Sequence, residues 1–280
     1  MSLQHDPAKC LRRRGSVVTR FRMTPKELIA KPPQQPAIGE DEMLRRVLHR
    51  DAMMLVIDKP FGMPVHKGPE SAQSKLNAAD ASSAGGDTPL DRFFPALRFG
   101  LPRPPELAHR LDRDTSGCLV LGRHRQALTR LGELFKKGEV SKTYWAIVEG
   151  GPGEDEGRID LPLGKLDPLR GWWMKVDEAG LPSSTLWRVL GRSPDKALAW
   201  LRLEPLTGRT HQLRVHCQAS GWPILGDPVY GQGPRFGGPG LHLHARSITV
   251  PILPKKPPVH VEAPPPPHML ERLSLCGWTV

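Results

Sequence analysis

This 280-residue sequence has no long apolar runs, no closely paired cysteines and only two tyrosines. No apolar run approaches the roughly 20 residues that a membrane-spanning helix needs, which argues against a membrane protein. The four cysteines lie far apart without a CxxC pair, so neither a zinc ribbon nor a disulfide framework is indicated. Residues 1–22 lack the apolar segment of a secretory signal, and we expect reduced thiols in a cytoplasmic protein.

Acidic residues are also in short supply. The chain has 29 Asp and Glu against 40 Lys and Arg, which gives a formal net charge of +11 and a pI near 9.8. Such an excess favours a polyanionic partner, and nucleic acid fits better than a membrane surface. A basic chain without any such partner remains the alternative on charge alone.

The composition is that of one folded domain with a basic extension. A chain of this length with 38% hydrophobic residues can bury one substantial core. We assign residues 1–45 to a basic, proline-containing N-terminal arm that is partly disordered, and residues 46–280 to the domain. Residues 1–22 fit a disordered arm, an organelle transit peptide, or sequence upstream of a start at Met23.

Apolar patterning predicts more strands than helices. Strands are expected at residues 53–57, 117–121, 143–148, 184–189 and 197–203, and helices at 126–137, at 210–220 with Thr210 or the preceding turn as cap, and from Pro89, capped by Thr88 or Asp87. Residues 67–88 read as a surface loop, and the proline-rich stretch 251–267 as extended and peripheral. The prediction is an α+β fold with a mixed, largely antiparallel central sheet and flanking helices.

Two dense polar blocks carry the candidate chemistry. Residues 109–117, HRLDRDTSG, place two carboxylates among basic groups directly before an apolar strand. About a hundred residues on, residues 207–216 read TGRTHQLRVH, in which a glycine precedes an arginine. Charged turns that feed a buried strand are frequent sites of catalysis, and the two blocks look like halves of one site. The histidines at 211, 216, 242 and 244 have no acidic or thiol partner at a recognised spacing, so no metal site is expected.

The motifs resemble the RluA-type family of RNA pseudouridine synthases. The runs that carry the resemblance, in the family's order, are VIDKPFGMPVHKG, HRLDRDTSG, SKTYWAIVEG, GRTHQLRVH and PILGDPVYG, within roughly residues 51–250. The resemblance implies the pseudouridine synthase catalytic fold and the conversion of uridine to pseudouridine without a cofactor. Many family members carry an N-terminal S4 RNA-binding domain. The chain before residue 51 is too short for one, so RNA affinity is expected to come mostly from the catalytic domain.

The resemblance implies that Asp112 is the catalytic aspartate. It could act as a nucleophile or as the base that removes a ribose proton, and the sequence leaves both routes open. The simpler alternative is a turn carboxylate that caps a backbone amide. Asp114, two residues on, competes for the role, because a paired-carboxylate glycosidase would use both.

Four further residues are expected to bind the substrate. Arg209 is the candidate partner that keeps Asp112 ionised, with a plain phosphate contact as the alternative. Tyr144 matches the family's active-site tyrosine, whose ring stacks on the uracil, and Leu213 would line the uracil pocket. Arg110 could occupy the stack that a flipped uridine vacates, or contact a phosphate. Plain core packing remains the alternative for Tyr144 and Leu213.

The leading hypothesis is therefore an RNA-uridine isomerase that acts on structured ribosomal or transfer RNA. The alternatives are a catalytically inactive RNA-binding homologue and a nucleoside or glycoside hydrolase built on Asp112 and Asp114. We expect a cytoplasmic monomer that needs neither a metal nor a small-molecule cofactor. The motifs report the reaction and leave the target uridine open.

Overall fold

A computed structural model describes residues 38–66, 88–166, 173–233 and 238–279. Its helices are α1 (Glu40–Arg45), a 3₁₀ helix (Leu90–Arg98), α2 (Arg125–Lys137), α3 (Gln212–Ala219) and α4 (Pro267–Leu275). Its strands are β1 (Val47–Arg50), β2 (Met54–Lys59), β3 (Glu106–Leu107), β4 (Ser116–Gly122), β5 (Ser141–Glu149), β6 (Glu156–Asp160), β7 (Leu163–Lys165), β8 (Met174–Val176), β9 (Ser184–Arg192), β10 (Leu198–Pro205), β11 (Leu243–Val250) and β12 (Val259–Glu262).

A ten-stranded sheet forms the centre of the molecule. Its strand order is β1-β2-β4-β11-β5-β10-β9-β6, with β3 on β4 and β12 on β11. Neighbours pair antiparallel except β4 and β11, which run parallel. The predicted α+β fold with a mixed, largely antiparallel sheet is therefore confirmed.

Helices cover both faces of the sheet because successive strand residues alternate between two cores. On one face, β2 and β4 pack against the 3₁₀ helix, and β5 and β10 pack against α3. On the other face, β2 and β4 pack against α2 and β12, while β5 and β10 pack against α4. Tyr144 contacts both clusters of the first face, so the candidate site lies where these two clusters meet.

The helix predicted for residues 126–137 is confirmed as α2, one residue longer at its start. Leu131 and Leu134 are fully buried, and Gly138 ends the helix in a left-handed conformation at φ 72°. That conformation is easily adopted by glycine, which lacks a Cβ. The five predicted strands correspond to β2, β4, β5, β9 and β10.

The prediction for residues 251–267 was wrong in part. Val259 to Glu262 form β12, which pairs with β11 and buries Val261 and Ala263. Pro266 is still extended, with φ −71° and ψ 152°, and caps α4, whereas Pro267 is the first residue of that helix. Proline suits the first helical position because it has no N–H to satisfy there, so composition alone was misleading.

Three smaller boundaries also differ from the prediction. The helix expected over residues 210–220 begins only at Gln212, and its N-cap is His211, without a side-chain cap hydrogen bond. The 3₁₀ helix is capped by Pro89 and not by Thr88. Met43 of α1 is fully buried in the core, so α1 packs as part of the domain although the sequence prediction assigned it to the arm. The predicted loop at 67–88 and the arm before residue 38 lie outside the described residues, apart from Thr88.

In the described part of the chain, no helix is both long and apolar enough to cross a membrane.

Candidate active site

Asp112 lies in the turn between β3 and β4, at the edge of the first-face core. The Thr115 amide donates to the Asp112 carbonyl at 3.1 Å, which closes the turn just before the strand. Gly117 then takes φ 101°, and a Cβ there would lie 2.3 Å from the Ala245 carbonyl oxygen of β11. The glycine of the HRLDRDTSG motif is therefore needed for the close approach of the parallel neighbour.

Lys59 anchors this turn from inside. Its side chain is fully buried, and Nζ donates to the carbonyls of Pro60, Met63 and Arg113 at 2.8–2.9 Å. Burial lowers the pKa of Lys59 to about 7, although the nearby Asp114 and Asp112 oppose that shift. The lysine of the first motif thus ties the end of β2 to the residue that follows Asp112.

Arg214, on the buried side of α3, faces the Asp112 carboxylate. Its Nη1 lies 3.6 Å from Asp112 Oδ2, and its side chain is only 5% exposed. Nε and Nη2 donate to the two oxygens of Asp227 at 2.8 Å each, a bidentate pair that fixes the guanidinium plane. Burial alone would lower the pKa of Arg214, but the hydrogen bond and charge of Asp227, with the charge of Asp112, raise it.

The expectation that Arg209 pairs with Asp112 is wrong. Arg209 precedes α3, and its Nε donates to the Pro182 carbonyl at 3.3 Å. The Arg209 amide and the Thr207 hydroxyl both donate to Oε1 of Gln212, at 3.0 and 2.7 Å. These bonds form a compact turn before α3. Arg209 is therefore directed to Pro182, and the arginine that faces the Asp112 carboxylate is Arg214, in the first turn of α3.

Tyr144 and Leu213 come together beside this ion pair. Leu213 is 6% exposed and belongs to the core cluster of β5, β10 and α3, against which Tyr144 packs. Burial raises the pKa of the Tyr144 hydroxyl, and the charge of Asp112 raises it further. Tyr144 also packs against the cluster that contains Leu111, the residue before Asp112. Tyr144 thus lies between the cluster of Leu213 and the turn of Asp112.

His211 completes the ring of groups around Asp112. Its Nε2 lies 3.7 Å from Asp112 Oδ2, and its Nδ1 lies 2.9 Å from the Tyr230 hydroxyl. The Tyr230 ring also packs under Arg214, whose Cζ lies 5.1 Å from the ring centroid. Asp227 accepts the amides of Val229 and Tyr230 at 2.9 and 3.0 Å, so one turn carries both supporting residues.

Arg110, Asp114 and Lys142 lie at the margins. Arg110 is exposed, and its charge contributes to lowering the pKa of His211, so it is close to the site entrance. Asp114 is partly buried and is the strongest carboxylate influence on Lys59, which suits a structural role. Lys142 is two residues before Tyr144 on β5, and burial lowers its pKa. A Cβ on Gly208 would lie 3.9 Å from Lys142 Nζ, which places this ammonium next to the second motif block.

Sequence reasoning did not assign site roles to five residues of this arrangement, namely Lys59, His211, Arg214, Asp227 and Tyr230. Asp227 and Tyr230 belong to the PILGDPVYG run, so an available signal was the acid and tyrosine of that motif. Helix periodicity could not single out Arg214, because every residue from 212 to 217 is buried.

No group of three or more His, Cys, Asp or Glu side chains in the described ranges could hold a metal ion. Cys118, Cys217 and Cys276 are free thiols in the interior. The chemistry that the described site offers is that of one partly exposed carboxylate, oriented by an arginine and a histidine beside an aromatic ring.

Comparisons with known proteins identify the family of the chain. The family model described as RNA pseudouridylate synthase matches residues 53–219. An uncharacterised RNA pseudouridine synthase of Zymomonas mobilis is 42% identical over 226 residues, which cover 80% of this chain and 95% of that protein. Ribosomal large subunit pseudouridine synthase C of Haemophilus ducreyi is 36% identical over 214 residues, or 74% of this chain and 61% of the relative.

Solved structures give the same result. The human RNA Pseudouridylate Synthase Domain Containing 4 superposes with a TM-score of 0.65 at 27% identity, over 85% of this chain and 95% of that one. The human RNA Pseudouridylate Synthase Domain Containing 1 gives a TM-score of 0.62 at 28% identity, over 82% and 86%. The chain therefore belongs to the RluA-type family of RNA pseudouridine synthases.

Proposed function

We propose that this enzyme isomerises specific uridines in structured ribosomal or transfer RNA and that Asp112 is its catalytic carboxylate. The observation that carries the proposal is the placement of Asp112. Its side chain is 22% exposed, and Oδ2 is approached from the protein side by Arg214 and His211 at 3.6 and 3.7 Å. A carboxylate that is oriented from behind and open in front can reach a ribose or a uracil.

The surroundings of the two aspartates favour Asp112 over Asp114. Asp112 has two cationic or imidazole partners and an aromatic neighbour, whereas the charge of Asp114 acts on the buried Lys59. A glycosidase would need two carboxylates facing one bond. The environment of Asp114 gives no support to that arrangement, which makes the hydrolase the weaker alternative.

Tyr144 and Leu213 supply the proposed uracil pocket. An aromatic ring can stack on a base that has been flipped out of its helix, and an apolar side chain can cover its other edge. Arg110, exposed near the entrance, is proposed to replace the flipped uridine in the stack or to hold a neighbouring phosphate.

Phosphate contacts are proposed for the cations beside the second block. The partly buried Arg209 and Lys142 flank Gly208, and the chain carries a net charge of +11. Lys142 has no carboxylate or hydrogen-bond acceptor among its partners in the described ranges. A desolvated ammonium of this kind gains most from an anion that arrives with the substrate.

Carbodiimide-based primer extension on total RNA from cells with and without the gene tests the proposal. Pseudouridine forms without a change of mass, and its carbodiimide adduct stops the reverse transcriptase. Stops that disappear with the gene and return with wild type, but not with Asp112→Asn, are the expected result. Free uracil would indicate a hydrolase. An RNA-binding homologue would leave every stop unchanged while still binding RNA.

The target RNA, the cellular location and the oligomeric state of the enzyme are also proposals. The name of the Haemophilus ducreyi relative points to large-subunit ribosomal RNA, while relatives from Oryza sativa and Arabidopsis thaliana are named mitochondrial. We propose a cytoplasmic monomer. Fractionation and light scattering of the full chain test both properties.

A further inference from the structure

His211 adopts a backbone conformation that is unusual for its residue type. It is the N-cap of α3, with φ 52° and ψ 18° in the left-handed region. Residues with a Cβ are strained there, and such strain persists mainly where the surrounding structure enforces it. The conformation turns the imidazole away from the helix and toward two partners, Tyr230 and Asp112.

The Tyr230 hydroxyl has one proton to donate, and its donation to His211 matches one tautomer of the imidazole. The Met174 amide donates to the Tyr230 hydroxyl oxygen at 3.0 Å, so that oxygen acts as an acceptor. The hydroxyl proton is then available for His211 Nδ1, which lies 2.9 Å away. A neutral imidazole that accepts at Nδ1 carries its proton on Nε2. That nitrogen is the one 3.7 Å from Asp112 Oδ2.

The neutral form is the one that the surroundings favour. The His211 side chain is 9% exposed, and burial lowers its pKa although the charge of Asp112 opposes the shift. Arg214 and Arg110 lower the pKa further, and Asp227 raises it. At neutral pH the imidazole is therefore uncharged.

Arg214 approaches the same oxygen as His211. Nη1 of Arg214 and Nε2 of His211 both face Oδ2 of Asp112, at 3.6 and 3.7 Å. Neither distance is a full hydrogen bond, but catalytic contacts often tighten only when substrate is bound. With Oδ2 held from two sides, Oδ1 is the oxygen left for the uridine.

We propose that His211 is a positioning residue for the isomerisation, with its tautomer fixed by Tyr230 so that Nε2–H donates to Asp112 Oδ2 and aims Oδ1 at the substrate. This inference rests on the proposed role of Asp112. The hydrogen bonds that connect Met174, Tyr230 and His211 then orient the Asp112 carboxylate in addition to stabilising the fold.

Two substitutions separate the two nitrogens of the ring. His211→Asn tolerates the left-handed backbone and keeps a polar atom near Nδ1 for Tyr230, but it has nothing at the position of Nε2. His211→Gln keeps an N–H near Nε2. We expect Asn to lower the single-turnover rate constant about 10- to 100-fold, the range for losing one hydrogen bond to a charged group, and Gln to recover most of that loss. RNA affinity should stay within about threefold, because phosphate contacts supply most of it.

The exposed His260→Asn is the matched control, and melting curves of each variant check that it is folded. Equal rates for wild type and a folded His211→Asn would overturn the inference, and so would a Gln variant as slow as Asn. If wild type itself makes no pseudouridine, the failure lies with the proposed function and not with His211.

Nitrogen-15 NMR of the ring tests the tautomer without any turnover. Wild type should show His211 protonated at Nε2 and bare at Nδ1, with the signal assigned by its loss in His211→Gln. Tyr230→Phe removes the proton donor and should shift the signal toward a mixture of tautomers. A wild-type ring protonated at Nδ1, or one indifferent to Tyr230→Phe, would contradict the proposal.

Discussion

The two motif blocks reach the site by different means. The first, residues 109–117, is a turn held at its backbone carbonyls: the Asp112 carbonyl accepts from the Thr115 amide, and the Arg113 carbonyl accepts from the Lys59 side chain. The second, residues 207–216, is a turn and a helix start, in which the position of each side chain depends on where the helix begins. The first block could be interpreted locally, whereas the second needed the tertiary structure.

The largest difference should appear between the two carboxylates of the first block. Asp112→Asn keeps the volume but removes the charge and basicity that the chemistry needs, so we expect turnover to fall about a thousandfold or more. Asp114→Asn is the matched control and should retain activity within about tenfold, because its surroundings suit a structural role. Single-turnover rates with RNA affinity measured in parallel check this. An Asp112 variant within tenfold of wild type would move the catalytic role to Asp114.

The second-largest effect should be the difference in activity between substitutions of the two arginines of the second block, Arg209 and Arg214. Arg214→Lys loses the planar fork that binds Asp227 and weakens the contact with Asp112, so activity should fall about a hundredfold. The melting temperature should fall as well, because a buried pair is costly to disrupt. Arg209→Lys should cost less than about tenfold, since the Arg209 side chain makes one hydrogen bond among the described residues, to a carbonyl. Reversed outcomes would restore the pairing expected from the motif.

These two arginines also show where prediction from sequence stops. Short apolar runs gave the strands β2, β4 and β5, and hence the strand that carries Tyr144, because such runs can be read from neighbouring residues in the sequence. The choice between Arg209 and Arg214 cannot be made from the local sequence pattern. It depends on Asp227, which is distant in sequence, and on a turn that Gln212 closes with its side chain.

Proline content misled for a related reason. The segment 251–267 appeared peripheral by composition, yet Val261 and Ala263 complete the core on the far face of the sheet. The extended backbone of residues 259–262 pairs with β11, which buries Val261 and Ala263, and Pro267 serves as the first residue of α4. Local composition describes the backbone preference, but the partner strand decides the outcome.

A smaller effect tests how the first block is anchored. In the unfolded chain Lys59 keeps its proton up to about its ordinary pKa of 10.5, and in the folded chain only up to about 7. Between these values the unfolded state binds more protons, so the lysine's contribution to the free energy of unfolding rises with pH. Urea unfolding of wild type and Lys59→Met from pH 7 to 9.5 should show a gap that widens in favour of wild type.

The exposed Lys136→Met serves as the control, and its gap from wild type should stay constant with pH. The charges that act on Lys59 are those of Asp114, Asp112, Asp58 and Arg113. A gap that stays constant for Lys59→Met as well would mean that Lys59 is charged when folded, held by its three carbonyl acceptors. The anchor would then be an ordinary ammonium clamp.

The smallest expected effect concerns the surface beside the second block. If Lys142 neutralises one RNA phosphate, Lys142→Gln should weaken binding modestly and reduce the slope of log affinity against log salt by about one. Lys196→Gln is the matched control. Lys196 lies in the turn between β9 and β10, which is at the opposite end of β10 from Lys142. Affinities titrated from low to physiological salt give both slopes. An unchanged slope for Lys142→Gln would mean that Lys142 contacts no RNA phosphate. A flat slope for wild type would contradict the inference from the net charge of +11 that the protein binds a polyanion.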